Sequence, residues 1–188
     1  PLGDVGVRRR IGYLPENPSF YDNVSAEELL DYFASLFGYR GAERKARVSR
    51  LLDDVGVGAE RRMQLRRYSK GMIQRAGLAQ ALLNDPELVF LDEPMSGLDP
   101  LGRRHVRDLI LRLREAMDIS VVVVTHDVES AFKIGDRITV LDKRRIVACQ
   151  TPDQIRVNPN ERVQNLIHRR SEHVEVDPEE YLRRLAGD

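Results

Sequence analysis

Asp92 and Glu93 are the residues best placed to do chemistry. They follow Leu88-Val-Phe-Leu91, four apolar residues that read as a short strand buried on both faces, the pattern of a parallel sheet. Open α/β sheets bind ligands outside the carboxyl ends of their strands, and two adjacent carboxylates there can divide one task. Asp92 can hold a hard cation such as Mg²⁺ through oxygen. Glu93 can accept a proton from an attacking water, or orient it. His126-Asp127 ends a second apolar run, Ser120-Val-Val-Val-Val-Thr125, which also reads as a fully buried strand and puts the imidazole on the same sheet edge. A lone Asp-Glu pair is commonly a surface turn, and a lone histidine at a strand end is commonly structural. Their shared edge moves both toward function. Ser69 can cap a helix whose free N–H groups form a natural anion site, although these residues alone describe an ordinary capped helix.

The elements that must position these groups are legible in order. Arg10-Ile-Gly-Tyr-Leu14 is a strand, closed by Pro15-Glu-Asn-Pro18. Ser25 caps a helix, with Glu28 completing a capping box, and Leu29, Leu30, Phe33, Leu36 and Phe37 form its apolar stripe. A second, charged helix over about Glu43 to Val55 puts Val48, Leu51, Leu52 and Val55 on one face. The basic cluster of Arg61, Arg62, Arg66 and Arg67 reads as a solvated face. A helix after Ser69 carries Met72, Ala76, Ala79 and Leu83 on one side. Pro94 stops the central strand, Ser96-Gly97 turns, and Pro100 opens a helix with Val106, Leu109, Ile110, Leu113 and Met117 inward. A short helix over Val128 to Ile134 precedes a strand pair, Ile138–Leu141 and Ile146–Ala148. A turn at Thr151-Pro-Asp153 leads to a polar tail ending in an amphipathic helix, Asp177 to Leu185.

Composition narrows the classes. The 188 residues suit one domain or a domain with a subdomain, and 41% hydrophobic with 32% charged is ordinary for a globular protein. Lys plus Arg equals Asp plus Glu at 30 each, so there is no global basic field for nucleic acid or an anionic membrane. A single cysteine, Cys149, excludes an internal disulfide framework. No apolar run approaches the roughly 20 residues that span a bilayer, so work at a membrane is expected to go through a partner. The opening Pro1-Leu-Gly-Asp reads as the middle of a longer polypeptide.

Five separated pieces resemble one family. "LVFLDEP" resembles the Walker B strand of ABC-type ATPases with its following glutamate. "SGLDP" is similar to their D-loop, "THD" to their switch histidine, "YSKGMIQR" to their LSGGQ signature, and "IGYLPEN" to the loop joining the nucleotide core to the helical subdomain. Five motifs in register are specific where any one is weak. The resemblance covers roughly residues 8 to 155 and runs closest to the ATP-binding subunit of type-2 ABC exporters. Three departures stand out: Glu16 where Gln is usual, Tyr68-Ser-Lys-Gly-Met72 for the signature, and no GxxxxGK[ST] anywhere. In the family that phosphate loop lies upstream of the Tyr13 strand, so a chain truncated at its N-terminus is expected.

The resemblance implies an α/β fold: a P-loop NTPase (RecA-like) parallel-sheet core, incomplete at the N-terminus, with an inserted α-helical subdomain. The expected division is a core strand and loop over 1–17, the helical subdomain over 18–68, the nucleotide-binding core over 69–150 and a helical tail over 151–188. It further implies ATP and Mg²⁺, with Asp92 on the metal, Glu93 polarising water and His126 at the γ-phosphate. Glu16 would sense metal or water, Ser69 and Gly71 would cap the γ-phosphate of an opposite site, and Asp99 would bridge two subunits. The implied protein is a cytoplasmic ATPase subunit on the inner face of the cell membrane. It would pair head to tail with a second nucleotide-binding domain, power export through a separate membrane permease, and bind no nucleic acid. The alternatives are a soluble ABC-type ATPase unconnected with transport and a non-catalytic partner module.

Overall fold

The computed structural model describes residues 4–168; the tail helix expected over Asp177 to Leu185 lies outside them. Two compact units divide at Ile134 and Gly135.

In the first unit, a short helix α1 (Val5–Arg9) leads into β1 (Ile11–Leu14). The helical segment follows as α2 (Ala26–Leu36) and α3 (Gly41–Asp54). Ser25 caps α2 as its sequence demands: its hydroxyl accepts from the Glu28 N–H at 3.2 Å while Glu28 accepts from the Ser25 N–H at 2.8 Å. Leu30, Leu51 and Leu52 are at most 1% exposed, and burying each such side chain stabilises the fold by about 1.5–3 kcal/mol. Arg47 of α3 ties this segment to the core. It stacks 4.7 Å over the Tyr39 ring, donates to the Leu83 carbonyl and pairs with Asp85 at 2.6 Å.

A 3₁₀ turn (Leu65–Arg67) precedes α4 (Lys70–Ala81), and β2 (Leu88–Asp92), α5 (Pro100–Met117), β3 (Ser120–Val124) and α6 (Val128–Ile134) complete the unit. The strands form a parallel sheet in the order β1-β2-β3, with Tyr13, Phe90 and Val122 in one register row. Gly12 is required where β1 meets the end of α4, because a Cβ there would lie 2.1 Å from the Ala81 carbonyl oxygen.

One expectation about the sheet fails. The apolar runs of β2 and β3 predict burial on two faces, but the strands alternate. Leu14, Val89 and Leu91 point into the core, whereas Tyr13, Phe90 and Val122 are 54%, 36% and 42% exposed. A continuous apolar run fits two-sided burial, yet among the described residues only one face of this sheet is covered.

The second unit holds an antiparallel hairpin of β4 (Ile138–Asp142) and β5 (Arg145–Gln150), then α7 (Pro152–Arg156) and α8 (Glu161–Ile167). The Thr151 turn is the N-cap of α7, with Gln154 closing a capping box, and Ile155 and Val163 are fully buried.

Candidate active site

The carboxyl ends of β2 and β3 bring Asp92, Glu93 and His126 to one edge, as their places in the sequence require. Glu93 is the first residue past β2, and its N–H still donates to the Val124 carbonyl at 2.8 Å. Its φ of +46° is left-handed, a region a glutamate rarely occupies. Such outliers persist where the surroundings over-determine them, commonly at functional sites. Here the surroundings are specific. Glu93 Oε1 accepts from the His126 backbone N–H at 2.7 Å and lies 2.8 Å from His126 Nδ1, while Oε2 accepts from the Thr125 hydroxyl at 3.1 Å. Thr125 in turn accepts from the Asp127 N–H at 3.0 Å.

Asp92 is half-buried beside this cluster, and its carboxylate takes part in no hydrogen bond or ion pair among the described residues. No three His, Cys, Asp or Glu side chains among them group to hold a metal ion. A cation at Asp92 would therefore draw most of its oxygens from phosphates and water, the usual arrangement for Mg²⁺. The residues present fit that ion.

Asp127, next in the chain, is anchored rather than free. Burial works to raise its carboxyl, but the Ser130 hydroxyl at 2.9 Å, the Ser130 N–H and Arg103 at 3.7 Å outweigh it. Together they hold the group below the usual carboxylate range.

Ser69, Gly71 and Asp99 meet elsewhere, lining with Lys70, Gly97 and His105 a cleft of about 360 Å³ that Asp92, Glu93 and His126 do not line. Ser69 caps α4 by accepting from the Met72 N–H at 3.3 Å. Asp99 is likewise the N-cap of α5, accepting from the Gly102 N–H at 2.7 Å, with Pro100 at the first helical position. Two helix N-termini thus open on one cleft, which favours an anion there. Glu16 is exposed, and its Oε1 accepts from the Ser96 hydroxyl at 3.2 Å.

The family model described as "ABC transporter" matches residues 4–96. An uncharacterized ABC transporter ATP-binding protein of Synechocystis is 49% identical over 149 residues, covering 78% of this chain and 42% of that protein. The chain belongs to the ABC transporter ATP-binding family. A fluoroquinolones export ATP-binding protein of Mycobacterium tuberculosis is 40% identical over 79% of the chain and 48% of its own length. An osmoprotectant import ATP-binding protein of Salmonella typhimurium is 35% identical over 82% and 41% respectively. The chain thus spans under half the length of each of these relatives. No helix among the described residues is long and apolar enough to cross a membrane.

Within an ABC ATP-binding chain, the departures from the usual signature acquire structural reasons. Tyr68, 8% exposed, donates its hydroxyl to the Glu60 carbonyl at 2.9 Å, so the signature loop is pinned to the segment before it. The Lys70 side chain lies over Gly97, whose φ of +67° turns the D-loop-like stretch. Sequence reasoning missed Thr125, Ser96 and Gln74. Thr125 and Ser96 each stand beside a residue already singled out, and Gln74 lies inside the quoted signature, so proximity to a motif was the available signal.

Proposed function

We propose that this chain supplies the catalytic edge of an ATP-hydrolysing subunit that powers transport through a separate membrane permease. The observation that carries the reading is Glu93. It is held in a left-handed conformation, its carboxylate clamped by His126 and Thr125, beside an Asp92 whose carboxylate is uncommitted. A carboxylate has about four lone-pair sites, so Oε2, with one bond from Thr125, keeps capacity to accept from a water. Glu93 is the general base or water-orienting group. Asp92 holds Mg²⁺, directly or through water; bound there, the ion neutralises charge on the phosphate oxygens. With Nδ1–H donating to Glu93, only the imidazolium has a second donor, at Nε2, to offer a γ-phosphate.

Ser69 and Gly71, at the α4 N-terminus, face the γ-phosphate of an opposite site in a head-to-tail pair, and Asp99 contacts the partner domain. Glu16, exposed at the end of β1, senses metal or water and passes the state toward the permease. Phosphoryl transfer depends on positioning and charge more than on covalent chemistry, so this division of labour is sufficient in kind. The subunit works on the cytoplasmic face of the cell membrane, with export as the direction; the names of its relatives include both export and import.

The test is Glu93→Gln in the complete polypeptide with its permease. Turnover should fall by about 10²–10⁴-fold with ATP binding retained. Hydrolysis near the wild-type rate would sink the assignment. The 188 residues contain no GxxxxGK[ST], so by themselves they should turn over ATP hardly at all. Brisk turnover by this chain alone would contradict the reading.

A further inference from the structure

The loop after β1 is fastened to α4 from inside. Gln74 is 1% exposed, and its Nε2 donates to the main-chain carbonyl of Glu16 at 2.8 Å. The other half of the amide, Oε1, is buried without a hydrogen-bond partner. Only this orientation of the amide gives any bond, because the group facing Glu16 must be a donor. A buried amide oxygen left unpaired forfeits its hydration, so an apolar residue of similar shape would serve packing better. One turn along the same helix, Gly77 has no room for a side chain: a Cβ there would sit 2.6 Å from Leu14 Cδ1 and 3.4 Å from Pro18 Cγ. The helix and the loop are therefore in close contact at both positions. From the other side, Ser96 holds the Glu16 carboxylate at 3.2 Å, and Lys70 crosses Gly97 just beyond it.

We propose that Gln74 is a positioning residue, whose bond to the Glu16 carbonyl makes α4, the Glu16 loop and the Ser96-Gly97 turn move as one body. A displacement of the signature end of α4 is then delivered to the Glu16 carboxylate without any ligand bridging them. The functional consequence rests on the ATPase reading above; the mechanical one does not.

The test is cleavage of the exposed Glu16–Asn17 bond of this chain by a glutamate-specific protease at limiting concentration, in Gln74→Met and Gln74→Glu. The methionine keeps volume and loses the donor, so cleavage should quicken about tenfold, the worth of one hydrogen bond. The glutamate donates to the Glu16 carbonyl while protonated, the form that burial favours, and repels it once ionised. Its cleavage, relative to wild type at each pH, should therefore start near wild type in acid and rise with pH. Wild-type cleavage of the methionine variant overturns the proposal, as does a matching loosening along the whole of α4, which marks mere packing. Should the methionine variant fail to fold, the pH dependence of the glutamate variant decides alone. In the complete transporter, Gln74→Met should lower kcat with KM unchanged, and unchanged kcat would overturn the coupling. Absence of turnover in the wild-type transporter would defeat the ATPase reading and leave the cleavage result to judge Gln74.

Discussion

Glu93 and His126 share a single oxygen. Glu93 Oε1 accepts the His126 backbone N–H at 2.7 Å and stands 2.8 Å from the ring Nδ1 of the same residue. The backbone contact survives any substitution at 126 other than proline, so the carboxylate stays clamped when the ring is removed. The histidine side chain is 78% exposed, and the glutamate's is 17%. The ring is thus a weak contributor to the fold and well placed to meet a ligand.

His126→Ala should therefore separate catalysis from stability. In the complete transporter, turnover should fall about 10²-fold or more, the loss typical of removing one donor to a developing charge. The melting temperature should hardly move, as for most exposed substitutions, which lie within about 0.5 kcal/mol. Parallel losses of turnover and stability would show that the ring is structural.

Gly12→Ala should do the reverse. The new methyl would stand 2.1 Å from the Ala81 carbonyl and 3.3 Å from Val89 Cγ2, and a backbone oxygen in a strand–helix contact cannot swing aside. A loss of about 1–3 kcal/mol is expected from overpacking, read as a lower urea midpoint. Stability equal to wild type would mean that β1 and α4 are not in the close contact described.

The capping box of α2 carries a pH signature. Glu28 is held below the usual carboxylate range chiefly by the Ser25 backbone N–H, then by the Ser25 hydroxyl, both on Oε2 at 2.8 Å. A depressed folded-state value means the contribution is complete above the unfolded value of about 4.3 and is lost as pH falls through the folded one. Glu28→Gln should therefore flatten part of the acid limb of the stability curve while changing little at neutral pH. Ser25→Ala should cost about 1 kcal/mol at neutral pH. An acid limb of the same depth in Glu28→Gln would remove Glu28 from that account.

How much of this was legible in the sequence depends on whether a residue's role is local. The caps at Ser25 and Ser69 sit within four residues of their partners, and their side chains act as their types and spacing dictate, whereas Thr151 reads as a turn in the sequence and proves to cap α7. The edge shared by Asp92, Glu93 and His126 was legible because each follows an apolar strand, and parallel strands end together. Gln74 and Ser96 were not, since their partner Glu16 is 58 and 80 residues away and no periodicity encodes the pairing. Two-sided burial of β2 and β3 failed for a different reason. A run such as Val121-Val-Val-Val124 states what the strand tolerates, not what covers it, and Val122 and Val124 are 42% and 56% exposed.

The β4-β5 hairpin offers a stabilising change. Asp142 pairs with Arg145, so Lys143 and Arg144 form a two-residue loop, and both have positive φ, +45° and +66°. That is the geometry of the tight hairpin turn that favours Asn-Gly, and the sequence fills it with two long cations. A non-glycine residue there costs about 1–2 kcal/mol, against which glycine loses about 0.5–1 kcal/mol more backbone entropy on folding. Arg144→Gly should therefore stabilise the hairpin by a net of about 0.5–1 kcal/mol, seen as slower amide exchange across β4 and β5. Lys143 makes a further interaction of its own, so Lys143→Asn gains less than Arg144→Gly. Faster exchange in Arg144→Gly would mean that the arginine's side chain stabilises the hairpin more than its backbone conformation costs.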